Sequence, residues 1–176
     1  MSAAATACQV FCSTADSPIG AIWVASTAAG LIRVGHPSET EDERLSWVFR
    51  AFPGAAVVHG ERENAEVHKE LDEYFAGVRK AFDSRIRLVT TAFGHRVLEE
   101  TSRIPYGKTV SYGQIAAAIG APSATRAVGR ALAANPLPII IPCHRVVGRD
   151  GSLVGFGGGL RLKEWLLSHE RRVAGV

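Results

Sequence analysis

A single cysteine, Cys143, lies in a segment whose residue types could carry out covalent chemistry. It follows Pro142 and the apolar residues 139–141, and His144 and Arg145 come directly after it. Proline fixes its own φ angle and has no N–H to donate, so Pro142 holds the cysteine in a defined place. The apolar run is short and β-branched, which predicts a buried strand. We therefore expect a thiol that is largely hidden from water.

Two opposite effects would act on that thiol. Burial raises the pKa of a cysteine and makes it inert, whereas a nearby imidazole or cation favours the thiolate, which is the nucleophile. Adjacency in the sequence does not decide whether His144 or Arg145 faces the sulfur. A structural buried cysteine is therefore the simple alternative to a catalytic one.

Length and composition describe a globular chain. It has 176 residues, of which 47% are hydrophobic and 21% charged, enough for one domain or two small ones with a real core. No apolar run approaches the roughly 20 residues of a membrane helix, and the start lacks the pattern of a signal peptide. The three cysteines are an odd number, which argues against a disulfide framework. We expect a cytoplasmic protein with no membrane segment.

Charge is distributed unevenly along the chain. Residues 1–90 carry 9 basic and 12 acidic side chains, whereas residues 91–176 carry 11 and 5. Only the second half has the positive excess that suits a polyanion such as nucleic acid, although basic surfaces often serve solubility alone.

The first half predicts a small sheet with helices. Apolar runs at 8–12, 21–25 and 30–34 are separated by turn residues, which indicates an antiparallel meander. Residues 39–50 predict a short helix, 55–58 another strand, and 67–78 an amphipathic helix. A zinc site is one interpretation of Cys8 and Cys12 together with His36 or His68, but the second Cys or His pair of such a site is missing. Core or edge cysteines are the better interpretation.

The second half predicts helices, with a boundary near residues 85–91. A helix over 93–104 is followed by Ser111 and Gln114, the spacing of a capping box, which starts a helix that ends before Gly120. Ser123 is the expected N-cap of a further helix over 124–134. Two short helices joined this way match a helix-turn-helix, although an ordinary helical hairpin has the same periodicity. A glycine-rich loop at 155–159 precedes a last amphipathic helix.

Several of these segments together resemble one family, the O6-alkylguanine-DNA alkyltransferases of direct DNA repair. The match covers roughly residues 88–170 in order and spacing, and the earlier part fits loosely. The matching segments are Ile104-Pro105-Tyr106-Gly107, Ser111-Tyr112-Gly113-Gln114, Arg126-Ala127-Val128-Gly129, Asn135-Pro136, Pro142-Cys143-His144-Arg145-Val146, Gly158-Gly159-Leu160, Lys163 and Trp165-Leu166-Leu167.

The resemblance implies an α+β fold in two domains. Residues 1–87 would form an RNase H-like α/β domain. Residues 88–176 would form a mostly helical domain with a winged helix-turn-helix, which binds DNA and carries the alkyl acceptor. The expected partner is double-stranded DNA with O6-alkylguanine, approached through the minor groove by a monomer that acts singly or cooperatively.

The resemblance also implies a role for each catalytic residue. Cys143 would accept the alkyl group, His144 would draw off the thiol proton through a water, and Glu170 would orient His144. Asn135 would tie the turn between the recognition helix and the active-site segment. No metal or cofactor is implied, because the histidine that some relatives use for zinc is missing here.

For DNA, the resemblance implies that Arg126 fills the gap left by an extruded nucleotide and that Tyr112 rotates the phosphate and then donates to guanine. The remaining expected contacts lie on the recognition helix and around the base pocket. They are Ser123, Ala127, Gly129 and Arg130 for DNA, and Tyr112, Pro138, Val146, Phe156, Gly157 and Gly158 for the base.

The chemistry explains these residue types without the family. A soft thiolate suits in-line attack on an alkyl carbon, and a lesion inside a duplex must be flipped out to reach a buried thiol. A thioether has no easy leaving route, so the protein would act once. Two sequence departures bear on substrate range: Phe93-Gly94-His95 replaces the usual Phe-Gln pair, and Gly157 replaces a common serine.

Two other classes of function are open at this level. A DNA-binding module could recognise alkylated guanine without chemistry, but the acceptor cysteine argues against it. A cysteine hydrolase could use the Cys-His pair, but it would leave the helix-turn-helix unexplained.

Overall fold

The N-terminal half is built on a four-stranded sheet. The structure, a computed structural model, describes residues 8–175. Strands β1 (Gln9–Ala15), β2 (Ile22–Thr27) and β3 (Gly30–Val34) form the antiparallel meander that the sequence predicts. Strand β4 (Ala56–His59) pairs with β1 in parallel, which gives the order β3-β2-β1-β4.

Two helices cover opposite faces of this sheet. Helix α1 (Glu41–Ala51) starts at a capping box formed by Thr40 and Glu43 and packs through Val48 onto one face. Helix α2 (Ala65–Phe75) packs through Leu71 and Tyr74 onto the other. Side chains of β2 therefore alternate between two apolar clusters, and all six residues of this strand are buried.

The C-terminal half is mostly helical. It contains α3 (Ala92–Ser102), the short strand β5 (Val110–Ser111), α4 (Tyr112–Ala118), α5 (Thr125–Ala133), β6 (Val146–Val147) and α6 (Leu160–Ala174). The α+β prediction is confirmed. The predicted capping box is present, since Ser111 Oγ accepts from the N–H of Gln114 and Gln114 Oε1 accepts from the N–H of Ser111. Gly120 ends this helix with a φ of 71°.

The two halves share one apolar core. Ile22, Val24 and Leu71 from the first half belong to the same cluster as residues of α3, α5 and α6. The N–H of Val34, at the end of β3, donates to the carbonyl oxygen of Pro136 over 2.8 Å. The sheet edge is therefore fixed directly to the segment that leads to Cys143. None of the helices within residues 8–175 combines the length and apolar character needed to cross a membrane.

The strand predicted at residues 139–141 is absent and a tight turn takes its place. Ile139 has a φ of 75°, and the N–H of Ile141 donates to the carbonyl of Leu137 over 2.8 Å. Prolines at 136, 138 and 142 remove the donors that a strand ladder needs, so the apolar run folds back on itself. A β-branched residue at positive φ costs of the order of 1–3 kcal/mol, and the surrounding core must hold it there.

The predicted N-cap at Ser123 is also wrong. Ser123 lies in a turn closed by the N–H of Ala124 donating to the carbonyl of Ala121, and α5 begins one residue later, at Thr125. In the described part of the chain, no side chain makes a capping hydrogen bond at this helix start. The turn takes Ser123 out of capping geometry and leaves it exposed.

Candidate active site and nucleic-acid interface

Cys143 lies at the start of a short 3₁₀ turn, Cys143–Arg145, between the 139–141 turn and β6. The residue is only 5% exposed. Burial raises the pKa of the thiol, while the amide of Asn135, the charge of Lys163 and the nearby backbone N–H groups act in the opposite direction. The structure therefore holds the sulfur in an environment with donors for a thiolate.

Asn135 connects the end of α5 to this thiol. Its Nδ2 donates to Sγ of Cys143 over 3.1 Å and to the carbonyl oxygen of Ile141 over 3.0 Å. Its Oδ1 accepts from the N–H of Leu137 over 3.0 Å. One buried amide thus closes the turn and places a donor on the sulfur.

A buried ion network lies behind the thiol. His144 Nε2 is 2.8 Å from Glu170 Oε1, and neither side chain is exposed. Arg145 donates from Nε and Nη2 to the same carboxylate over 2.9 Å and from Nη1 to the carbonyl of Ile104 over 2.6 Å. The sequence prediction paired His144 with Glu170, and the structure brings them together, but the part of Arg145 was not foreseen.

This network fixes the charge states. Burial would raise the pKa of Glu170, but the hydrogen bonds from His144 and Arg145 outweigh it and hold that pKa well below its usual range. Burial lowers the pKa of His144 despite the carboxylate beside it. A neutral imidazole then donates from Nε2 to Glu170, which assigns Nδ1 as its acceptor atom. Among residues 8–175, no protein group bonds Nδ1.

Lys163 is a buried cation for which no role is predicted from the sequence. Its Nζ donates to the carbonyls of Val146 (2.6 Å) and Val154 (3.0 Å) and lies 3.5 Å from Tyr112 Oη. All three partners are neutral oxygens, and the side chain has no exposed surface. Burial lowers the pKa of Lys163, and the coulombic interaction with Cys143 opposes that shift.

The position of Lys163 was a signal in the sequence. Lys163, Leu166, Leu167 and Glu170 have the spacing of the buried face of α6, and all four are buried. Two ionisable residues on an apolar stripe must be satisfied inside the protein. That pattern alone could have marked both as functional candidates.

A cavity of about 200 Å³ opens beside the sulfur. Four of the predicted pocket residues line it with Cys143: Pro138, Phe156, Gly157 and Gly158. The opposite wall belongs to the N-terminal half and was not foreseen; it contains Arg33, His36, Glu39 and Trp47.

Two predicted pocket residues lie outside this lining. The hydroxyl of Tyr112 donates to the carbonyl of Val154 over 2.7 Å. Val146 is fully buried, and its carbonyl accepts from Lys163. Both residues adjoin the loop before α6 instead of the cavity, because backbone and lysine partners hold them there.

Helices α4 and α5 form the predicted helix-turn-helix. The outer face of α5 carries small side chains between two arginines. Arg126 and Arg130 are exposed on it, as is Ser123 just before it, while Ala127 and Gly129 are half-buried. A Cβ added at Gly129 would be 3.8 Å from the ring of Tyr112. The small residues allow close approach of a partner, and the two arginines supply charge.

The family follows from two matches that together cover most of the chain. Residues 10–88 match the model for the 6-O-methylguanine DNA methyltransferase, ribonuclease-like domain. Residues 92–172 match the model for the 6-O-methylguanine DNA methyltransferase, DNA binding domain. The chain belongs to the 6-O-methylguanine DNA methyltransferase family.

Relatives in this family resemble the chain along most of its length. The inducible methylated-DNA–protein-cysteine methyltransferase of Bacillus subtilis is 40% identical over 152 residues, covering 86% of this chain and 85% of that protein. The methyltransferase of Mycolicibacterium paratuberculosis is 43% identical over 162 residues, covering 90% and 91%. The crystal structure of Mycobacterium tuberculosis OGT in complex with DNA superposes with a TM-score of 0.79 at 37% identity, covering 94% of each chain.

One sequence departure of this family member, at Gly94, has a local structural explanation. Gly94 lies in the first turn of α3, where an added Cβ would clash with Oγ1 of Thr90. Gly157 is exposed and brings no side-chain donor to the pocket loop. The zinc interpretation finds no support in residues 8–175, where no three His, Cys, Asp or Glu side chains are grouped to hold a metal ion.

Proposed function

We propose that this chain repairs DNA directly, by moving the alkyl group from O6 of an alkylated guanine to Sγ of Cys143. The thiolate attacks the alkyl carbon, a C–S bond forms, and the C–O6 bond breaks. The electron pair of the C–O6 bond stays with guanine, which takes up one proton, and this balances the proton that the thiol loses through His144. The observation that carries the proposal is the buried Cys143 sulfur beside a cavity, bonded to Asn135 and near the cation of Lys163.

The proton leaves the thiol toward His144. Nδ1 of His144 is an acceptor atom without a protein partner among residues 8–175, and a water can carry the proton to it. Glu170 holds the imidazole and stabilises the imidazolium that forms, and Arg145 keeps that carboxylate charged and in place. Because burial disfavours the thiolate, Asn135 and Lys163 are needed to lower its free energy as it forms.

DNA engages the face of α5, through the minor groove. Arg126 enters the base stack and fills the gap that the flipped nucleotide leaves, at a cost of a few kcal/mol for extrusion. Ala127 and Gly129 let the helix backbone approach, and Ser123 and Arg130 contact the phosphates. The exposure of Arg126 and the small residues beside it support this arrangement.

The base enters only after the loop before α6 moves. A cavity of about 200 Å³ is smaller than the roughly 300–1,000 Å³ of typical ligand sites. Opening the loop around Phe156, Gly157 and Gly158 also frees the hydroxyl of Tyr112 from Val154, so it can donate to guanine. Pro138 and Val146 then contact the base.

Three finer proposals complete this function. The division between the domains lies at residues 87 and 88, at the end of the first family match, which covers residues 10–88. The chain acts as a monomer on DNA. It works in the cytoplasm, which suits its free thiols Cys8, Cys12 and Cys143. The reaction uses no cofactor, because the alkyl group passes directly from guanine to Cys143. The thioether that forms ends the reaction after one transfer.

Mass spectrometry tests the transfer. The protein is incubated with a duplex oligonucleotide carrying one O6-methylguanine and then digested, and the mass of each cysteine-containing peptide is measured. We expect one methyl group on the Cys143 peptide and none on the peptides of Cys8 and Cys12, which serve as internal controls. Methyl on either control cysteine, or more than one lesion repaired per protein, would contradict the proposal.

A further inference from the structure

The N-terminal half supplies one hydrogen bond to the buried ion network. Tyr74, on α2, donates from Oη to Oε1 of Glu170 over 2.9 Å, and its side chain is fully buried. We propose that Tyr74 is a positioning residue for alkyl transfer, which sets the proton affinity of the Glu170–His144 pair. This inference rests on the proposed function, and it gives the N-terminal half a direct part in the chemistry.

Donors surround the carboxylate of Glu170. Oε1 accepts from Tyr74, His144 and Arg145, whereas Oε2 accepts from Arg145 and from the N–H of Gly107 over 3.0 Å. Each donor makes a buried carboxylate less basic. Tyr74 shares its oxygen atom with His144, so its loss would act directly on the bond that holds the imidazole.

Packing leaves Tyr74 with one orientation. Its ring lies 5.5 Å from that of His169, 5.6 Å from Phe82 and 6.0 Å from Tyr106, between centroids. The carbonyl oxygen of Tyr74 also accepts from Nε2 of His169 over 3.0 Å. Burial, and then the charge of Glu170, raise the pKa of the phenol far above its usual range. The hydroxyl therefore stays protonated and acts as a donor.

The other charged or titratable groups around Glu170 and His144 come from three segments. Tyr106 precedes β5, Arg145 belongs to the 3₁₀ turn, and Lys163, His169 and Arg172 lie on α6. None of these is changed when the Tyr74 hydroxyl is removed. With that donor gone, Glu170 becomes more basic and stabilises the imidazolium of His144 more strongly. The protonation midpoint of His144 should then move to higher pH.

The test compares the full chain with its Tyr74→Phe variant by NMR titration of the histidine rings. The His144 signal is assigned from a His144→Gln variant. Phe82→Leu is the matched control, because it disturbs the packing of the same ring and leaves every donor to Glu170 in place. We expect the His144 midpoint to rise by about one pH unit in Tyr74→Phe and to stay unchanged in Phe82→Leu.

Alkyl transfer gives the second measurement. In Tyr74→Phe, the acid limb of the rate profile for methyl transfer to Cys143 should move to higher pH by the same amount, with a several-fold slower rate below the midpoint. An unmoved His144 midpoint, or equal effects in Phe82→Leu, would overturn the positioning role. The NMR result does not depend on DNA, so a wild-type chain that transfers no methyl group would refute the proposed function separately.

Discussion

The amide nitrogen of Asn135 lies 3.1 Å from the sulfur of Cys143. The same side chain bonds the backbone at Leu137 and Ile141, inside the turn that holds Ile139 at positive φ. One residue therefore both keeps the strained turn folded and donates to the nucleophile. Its replacement should affect stability and chemistry together, and a control is needed to separate the two.

Replacing Asn135 by Ala should lower the free energy of unfolding by roughly 3 kcal/mol, because two backbone groups lose their buried partner. Methyl transfer to Cys143 should slow about 10- to 100-fold, because the thiolate loses a donor. Chemical denaturation and single-turnover kinetics measure the two effects. Asn64→Ala is the matched control, since Asn64 is a buried amide that bonds Phe11, Ser13 and Ser26. The prediction fails if both variants transfer methyl at the same rate.

Replacing Lys163 by Met should raise the pKa of the Cys143 thiol and slow methyl transfer. The nearby cation is lost, while the apolar volume is kept. The pH dependence of Cys143 labelling by a small alkylating reagent measures the thiol. Lys108→Met, at an exposed lysine, serves as control. Equal thiol titration in the two variants would contradict a role for Lys163.

Lys163 also predicts how stability depends on pH. Its pKa in the folded chain is lowered by burial, so between that value and the ordinary one near 10.4 the unfolded chain binds a proton that the folded chain lacks. The wild type should therefore gain stability relative to Lys163→Met as the pH rises through this window. Denaturant unfolding at several alkaline pH values measures the difference, and a difference that falls with pH would be the wrong sign.

Local patterns predicted the fold better than the site. The capping box at Ser111 and the glycine after α4 depend on neighbouring residues, so the sequence alone was enough. The turn at 139–141 depends on the Asn135 side chain and on prolines, so hydrophobicity alone wrongly predicted a buried strand there. Contacts such as Tyr74 with Glu170 join residues 96 apart, for which no local pattern exists.

In the active-site segment, too, the sequence predicts local features but not the contacts between distant residues. The order of Cys143, His144 and Arg145 was visible, but adjacency could not say that His144 and Arg145 both turn toward Glu170. The N-terminal wall of the cavity, with Arg33 and His36, depends on how the two halves pack. Lys163 lies on the apolar face of α6, and this position alone is enough to predict from the sequence that it is a buried, functional lysine.

Replacing Arg126 by Ala should slow repair in duplex DNA far more than in a single strand. Only the duplex leaves a gap to be filled when a base is flipped. Rates with a methylated oligonucleotide, alone and annealed to its complement, measure this difference. Arg62→Ala removes the same charge at an exposed site in the N-terminal half. If repair slowed equally in duplex and in single-stranded DNA, Arg126 would contribute only electrostatic attraction to DNA and would not fill the gap in the base stack.

Replacing Glu170 by Gln should cost roughly 3–5 kcal/mol of stability at pH 7, because buried Arg145 loses its charge partner. The folded pKa of Glu170 is lowered, so its contribution is complete above the ordinary pKa near 4.3 and is lost as the pH falls toward the folded value. The wild type and the variant should therefore converge in acid. Urea unfolding from pH 7 downward measures that convergence.

Glu70→Gln separates this stability loss from the chemistry. Glu70 is also buried, accepts from the N–H groups of Asp83 and Ser84, and pairs with Arg79. Its replacement should destabilise the chain and leave the methyl-transfer rate nearly unchanged. Glu170→Gln should slow transfer as well, because the neutral amide no longer stabilises the imidazolium of His144. Equal transfer rates in the two variants would mean that Glu170 supports the fold alone and that His144 works without it.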